Sequence, residues 1–197
     1  MDRQTPQTPK TAVKAPTRKI RLRPFWRDTI FMFVVALAVV VLLRGFVFEI
    51  AVVEGPSMDP TLHTDQKVLV LKLPRLLKKT PKHGEIIVTH YPKPHDKDGE
   101  LFIKRVVALP GDILEIRDGI VYVNGEVNAE GYHEATHQKT FPPTEIEEGQ
   151  IFVMGDNRAK SFDCQNFGPI DMDLLLGRAY MVLFPLNEMH VLKHHSD

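Results

Sequence analysis

Cysteine is all but missing from this chain. Cys164 stands alone among 197 residues, so an intrachain disulfide is excluded, cysteine usage says nothing about redox compartment, and burial has to hold the fold. A chain of this length suits one ordinary domain, which hides roughly two thirds of its unfolded surface. No segment recurs at a fixed period, which argues against solenoids and propellers. No phosphate-cradling glycine loop is present, which removes the nucleotide-binding classes that depend on one. Net charge is missing too, with 25 basic against 25 acidic residues. That balance conceals a split. Residues 1–28 hold eight Lys or Arg and two Asp, and the remainder is mildly acidic. Nine histidines are present but lack ligand spacing. His133 and His137 are four apart and His194 and His195 adjacent, without the carboxylates or thiols that complete a metal set, so no metal or cofactor is expected.

The apolar run after the basic segment rules out a nucleic-acid arm. Thr29 to Leu43 is free of charge, and beyond Arg44 comes a further apolar run, Gly45-Phe-Val-Phe48. Counted through Phe48 the stretch covers about 30 Å as a helix, enough to cross a bilayer with Arg44 reaching back to the interface. A cleaved secretory signal shares the basic start, but no small-x-small pattern comes after the run. A buried soluble helix would not be apolar on every face. Arg18, Lys19, Arg21, Arg23 and Arg27 place the N-terminus in the cytoplasm, with Phe25 and Trp26 at the interface. The expected organisation is a disordered basic cytoplasmic tail over 1–24, a transmembrane helix over 25–48, and an extracytoplasmic β-rich domain over 49–197.

The pattern then shortens. Lys67–Leu71, Glu85–Thr89, Phe102–Val107, Ile113–Ile116, Ile120–Val123, Ile151–Met154 and Ala179–Phe184 read as strands. Arg117-Asp-Gly119 and Asn124-Gly125 supply tight-turn chemistry, and Pro74, Pro81, Pro92 and Pro94 mark surface loops. The class is mostly β, an antiparallel barrel or sandwich that pattern alone does not divide further.

Three segments carry candidate chemistry. Glu54-Gly-Pro-Ser-Met-Asp-Pro-Thr-Leu62 sets Ser57 in a turn just past the apolar run. A serine alone is inert without a base, and a turn serine ordinarily caps backbone. Phe102-Ile-Lys-Arg-Val-Val-Ala-Leu-Pro-Gly-Asp112 sets Lys104 in an apolar strand, opposite in direction to Ile103. In water a lysine is almost wholly protonated at neutral pH, whereas burial makes it a usable base. Met154 to Gly168 is dense in side chains that bond their own backbone and can hold Asn157 or Ser161 in place.

Taken together these segments are identified with a family. Gly55-Pro-Ser-Met-Asp-Pro-Thr61 resembles the serine box of the type I signal peptidases. Phe102–Asp112 resembles their lysine box, and Gly155-Asp-Asn-Arg with Ser161, Asp163 and Phe167-Gly168 resembles their Gly-Asp-Asn-Arg box. Box spacing and the single apolar run look like the small Gram-positive form of peptidase family S26. The resemblance implies a membrane-anchored serine endopeptidase with Ser57 as nucleophile and Lys104 as general base, oriented by Ser161. It implies an oxyanion hole that includes the Ser57 N–H, and apolar pockets at Val53, Met58, Leu62 and Ile103 that take Ala-x-Ala-like ends of secretory signals. Gly155, Asp156, Asn157, Arg158 and Asp163 form the structural box. Implied partners are secretory preproteins, the bilayer, whose lipid an apolar surface near the site would meet, and protein-secretion machinery, with no nucleic acid and a bacterial cell-membrane location.

Two positions depart from the family. Gly55 stands where some members have a serine that adds an oxyanion donor. Gln165 stands where an arginine usually pairs the aspartate at 163, so Asp163 is left to Arg158, Arg105 or solvent. Cys164 reads as a small buried hydrophobe. Two rival readings remain for comparison. A Ser/Lys self-cleaving repressor would need a DNA-binding head where this chain has an apolar run. A catalytically inactive anchored β-domain, acting as a binding or chaperone partner, would draw on the Gln165 change.

Overall fold

A computed structural model describes residues 25–90, 100–128 and 140–193. The chain divides into two compact units, Met1–Val39 and Val40–Asp197. Helix α1 (Phe25–Phe46) has every side chain from Trp26 onward exposed. Fifteen consecutive charge-free residues give it an apolar surface all round, and it is long and apolar enough to cross a membrane. Asp28 in its first turn and Arg44 in its last oppose the helix dipole favourably. The last helical hydrogen bond runs from Val47 N to Leu43 O at 2.8 Å. The helix ends two residues before the apolar run does, because Phe48 already pairs with Leu71 in a sheet.

The second unit has only antiparallel strand pairings among its described residues. In chain order it contains β1 (Phe48–Val52), β2 (Lys67–Leu71), the short helix α2 (Leu73–Leu76), β3 (Ile86–His90), β4 (Leu101–Ala108), β5 (Ile113–Arg117), β6 (Ile120–Val123), β7 (Glu126–Val127), β8 (Phe141–Glu145), β9 (Gln150–Met154), the short helix α3 (Cys164–Phe167), β10 (Ile170–Asp171), β11 (Leu175–Phe184) and β12 (His190–Val191). The larger sheet runs β1-β2-β11-β3-β4-β9-β10 with β12 on β11, and the smaller runs β7-β6-β5-β8. The two tight turns form as their residues dictate, with φ positive at Asp118, Gly119, Asn124 and Gly125.

Two cores arise from side-chain alternation. One joins β4 and β9 to the smaller sheet through Val106, Phe152, Leu114, Ile116 and Val121. The other lies beneath the serine turn and gathers Val53, Met58, Leu62, Val88, Ile103 and Val182. Each fully buried aliphatic side chain contributes about 1.5–3 kcal/mol. Two prolines stand differently from the sequence reading. Pro81 is buried rather than on a surface loop, and Pro74 lies inside the first turn of α2, where its missing N–H costs nothing. Pro92 and Pro94 lie outside the described residues.

Candidate active site

Beyond β1 the chain turns at Gly55, whose φ of +76° is a conformation that favours glycine. Pro56 fixes the next φ. Hydrogen bonds from Asp59 N to Pro56 O and from Leu62 N to Met58 O close a compact turn. Met58 and Leu62 are driven into the core, and Ser57 is left half-buried at the surface.

Lys104 comes from β4, an inner strand. β4 pairs with β3 over Leu101–Arg105 and with β9 from Arg105 onward. At Lys104 the β9 partner has just turned away, which opens a path for the amine. Its Nζ stands 3.0 Å from Ser57 Oγ and 3.2 Å from Ile103 O, and 5.0 Å from the centre of the Phe102 ring. Only 5% of Lys104 is exposed. Burial pulls its pKa below the ordinary lysine value, against the opposing pull of Asp163, Cys164 and Asp156. Burial also pushes the Cys164 thiol far above its usual range. It therefore stays uncharged, and the two carboxylates are what oppose Lys104's deprotonation.

The third segment is stitched to the other two. Asn157 N donates to Ser57 O at 3.0 Å. Gly155 is required by close approach, since a Cβ there would run into Ser57 O and the Ser161 side chain. Asp156 accepts Arg105 Nε at 2.8 Å and Arg105 Nη2 at 2.7 Å, and it accepts the Thr61 hydroxyl at 2.5 Å. Arg105 Nη1 reaches Gly84 O at 2.7 Å. One buried bidentate pair thus ties the serine turn, the lysine strand and the 155–163 loop together. Arg158 Nε donates to Gly155 O.

Asp163 is fully buried, not solvated. Arg105 serves Asp156 instead, and the partners of Asp163 are amides. Gly155 N donates at 2.9 Å, Gln165 N at 3.1 Å and Gln165 Nε2 at 3.2 Å. It is the N-cap of α3, with Asn166 returning the capping-box bond. Gln165, the departure from the family pattern, is therefore itself the side-chain partner. Ser161 is buried against Gly155, and its hydroxyl has no hydrogen-bond partner among the described residues.

A cleft of about 200 Å³ leads to Ser57 and Lys104, and Val53, Met58 and Ile103 line it. Leu62 sits deeper in the same core without lining it. Sequence reasoning did not single out Glu100, Lys160 and Phe162 at this cleft, nor Thr61 as a partner of Asp156. Alternation along β4 could have flagged Phe102 beside the amine, but nothing local to residues 160–162 announces a cleft wall. Among the described residues no group of three metal-binding side chains forms. His133, His137, His194 and His195 lie outside the described residues.

The family described as signal peptidase, peptidase S26, matches residues 26–184. A signal peptidase I of Bacillus licheniformis is 35% identical over 167 residues, 79% of this chain and 87% of that one. A probable signal peptidase I-1 of Synechocystis is 37% identical over 165 residues, 82% of this chain and 84% of that one. The crystal structure of a signal peptidase I from Enterococcus faecalis aligns at 29% identity and TM-score 0.42, covering 51% of this chain and 97% of that chain. A family match over most of the chain, and two relatives matched over most of their own length, establish that this chain belongs to the signal peptidase family, peptidase S26.

Proposed function

We propose that the protein is a membrane-anchored serine endopeptidase that removes N-terminal signal peptides from secreted preproteins, cutting after Ala-x-Ala-like sites, with Ser57 and Lys104 as its catalytic dyad. The observation that carries this reading is the 3.0 Å contact between a half-buried serine hydroxyl and a buried amine of lowered pKa. Neutral Lys104 takes the Oγ proton as Oγ bonds the scissile carbonyl carbon. The Ser57 N–H meets the developing oxyanion. The ammonium then gives its proton to the leaving amine, and a water, deprotonated by the same lysine, releases the signal half from the serine ester. The family resemblance gives Ser161 the role of orienting Lys104; its buried hydroxyl makes no hydrogen bond among the described residues, so it has one to offer the amine.

An extended substrate fits the open edge of β4 at Leu101–Lys104, which among the described residues has a strand partner only on its β3 side. Small side chains then enter the shallow apolar floor of Val53, Met58 and Ile103. α1 would anchor the chain with its basic flank in the cytoplasm. The outward face of β1, with Phe48, Ile50 and Val52 exposed, would rest on lipid, where substrates arrive. Cleavage of a fluorogenic peptide whose signal half ends in Ala-x-Ala tests the proposal. Wild type should cut it, and Ser57→Ala or Lys104→Ala should lose about 10⁴-fold or more. A folded wild type inactive on several such peptides would favour an anchored β-domain that binds without cutting.

A further inference from the structure

The connection from β2 to β3 carries a feature that the reaction does not use. Leu73, Leu76 and Leu77 are 46%, 55% and 57% exposed, so three large apolar side chains crowd into five residues. Arg75, Lys78 and Lys79 interleave with them, all exposed. Lys72, which precedes this segment, bonds to the last turn of α1 and to the residues just beyond that helix. Lys72 N donates to Val47 O at 2.9 Å. Lys72 Nζ approaches Gly45 O at 3.4 Å and pairs with Glu49 at 2.6 Å. α2 therefore starts where the apolar helix stops.

We propose that residues 73–79 form a membrane-contact turn, in which Leu73, Leu76 and Leu77 enter the interfacial layer of the bilayer and Lys78 and Lys79 engage anionic headgroups. The inference rests on α1 spanning the membrane. If α1 does so, its C-terminal end lies at the bilayer surface, and a segment bonded to that end is held in the headgroup layer. Exposed leucines flanked by cations suit that layer and are disfavoured in bulk water. Charge is not the larger part. Glu147, Glu148, Asp171 and Asp173 share a cleft of about 640 Å³ with Arg75, Lys78 and Lys79, which weakens the local positive field, so leucine insertion carries most of the affinity. The consequence is a further point of support beside α1 and the β1 face, which fixes the tilt of the domain and hence the height of Ser57 above the bilayer.

The full chain in phosphatidylcholine vesicles, with or without phosphatidylglycerol, tests this. Cys164 is buried and protonated, so Leu76→Cys accepts an environment-sensitive fluorophore selectively, with Ile120→Cys on the smaller sheet as the exposed control. A headgroup-proximal doxyl lipid should quench the label at 76 and spare the label at 120. Phosphatidylglycerol should deepen the quenching at 76, and Lys78→Glu with Lys79→Glu should reverse that gain, by up to about five-fold in the docking equilibrium per lysine. Equal quenching at 76 and 120, in chains that stay with the vesicles through alkaline extraction, overturns the membrane-contact turn alone. Loss of the chain on extraction overturns the spanning helix and the turn together.

Discussion

Asp156 and Asp163 sit on one loop, both carboxylates are buried, and they are satisfied in opposite ways. Asp156 faces a guanidinium that meets it with two nitrogens. Asp163 faces backbone and side-chain amides. The difference separates two jobs. A buried charge that is neutralised by its partner is chiefly structural glue, with less field left over. A buried charge held only by dipoles keeps its field, and Asp163 stands first among the groups that raise the Lys104 pKa. This loop therefore both builds the site and sets how readily its base gives up a proton.

Breaking the neutralised side should have the largest effect. Arg105→Met strands the Asp156 carboxylate in the core and should cost about 3–5 kcal/mol, seen as a fall in Tm and in denaturant midpoint. Asp163→Asn leaves at least one of its three N–H donors without an acceptor and should cost about 1–3 kcal/mol. Its sharper signature is kinetic. Without that negative field the Lys104 pKa falls further, so the acidic limb of kcat/KM should move to lower pH in the protein that remains folded.

Lys104→Met should raise stability at neutral pH. In the wild type the folded state resists the proton that the unfolded state accepts below the ordinary lysine value of 10.5. Wild-type stability therefore falls as pH drops from 10.5 toward the lowered folded pKa, and levels off below it. Methionine has no such cost. The Tm advantage of the variant should be absent above 10.5, grow as pH falls below it and level off once pH drops under the lowered folded pKa. An advantage that persists at high pH would mean that packing, not ionisation, is its source. Gln165→Arg should have the smallest effect on stability. It sets a cation beside Asp163 and should shift the acidic limb the same way as Asp163→Asn, but less. A limb that does not move would mean that Asp163 exerts no field on the dyad.

Much of this was legible because the chemistry is local. A charge-free run, strand-length apolar runs and two glycine turns each act over a few residues, and the three boxes carry their own turn residues. The illegible part depends on distant partners or on ambiguous ones. Arg105 reads as a candidate for Asp163, yet its guanidinium goes to Asp156, and no residue near either position says so. The true side-chain partner of Asp163 is two residues away, overlooked because an amide in place of an arginine reads as a loss. β8 hides behind Pro142 and Pro143, which an edge strand tolerates because one side of it needs no donors. Phe48 fits lipid and sheet equally well by composition, so only its pairing with Leu71 shows where the helix stops.

The pH dependence of kcat/KM on a signal-type peptide, measured for wild type and Lys104→Met, tests the dyad most directly. The account predicts an acidic limb governed by one ionisation below 10.5 in the wild type, and in the variant a loss of activity that high pH does not restore. Retained activity in Lys104→Met, with the same limb as wild type, would contradict it and assign the base to another group.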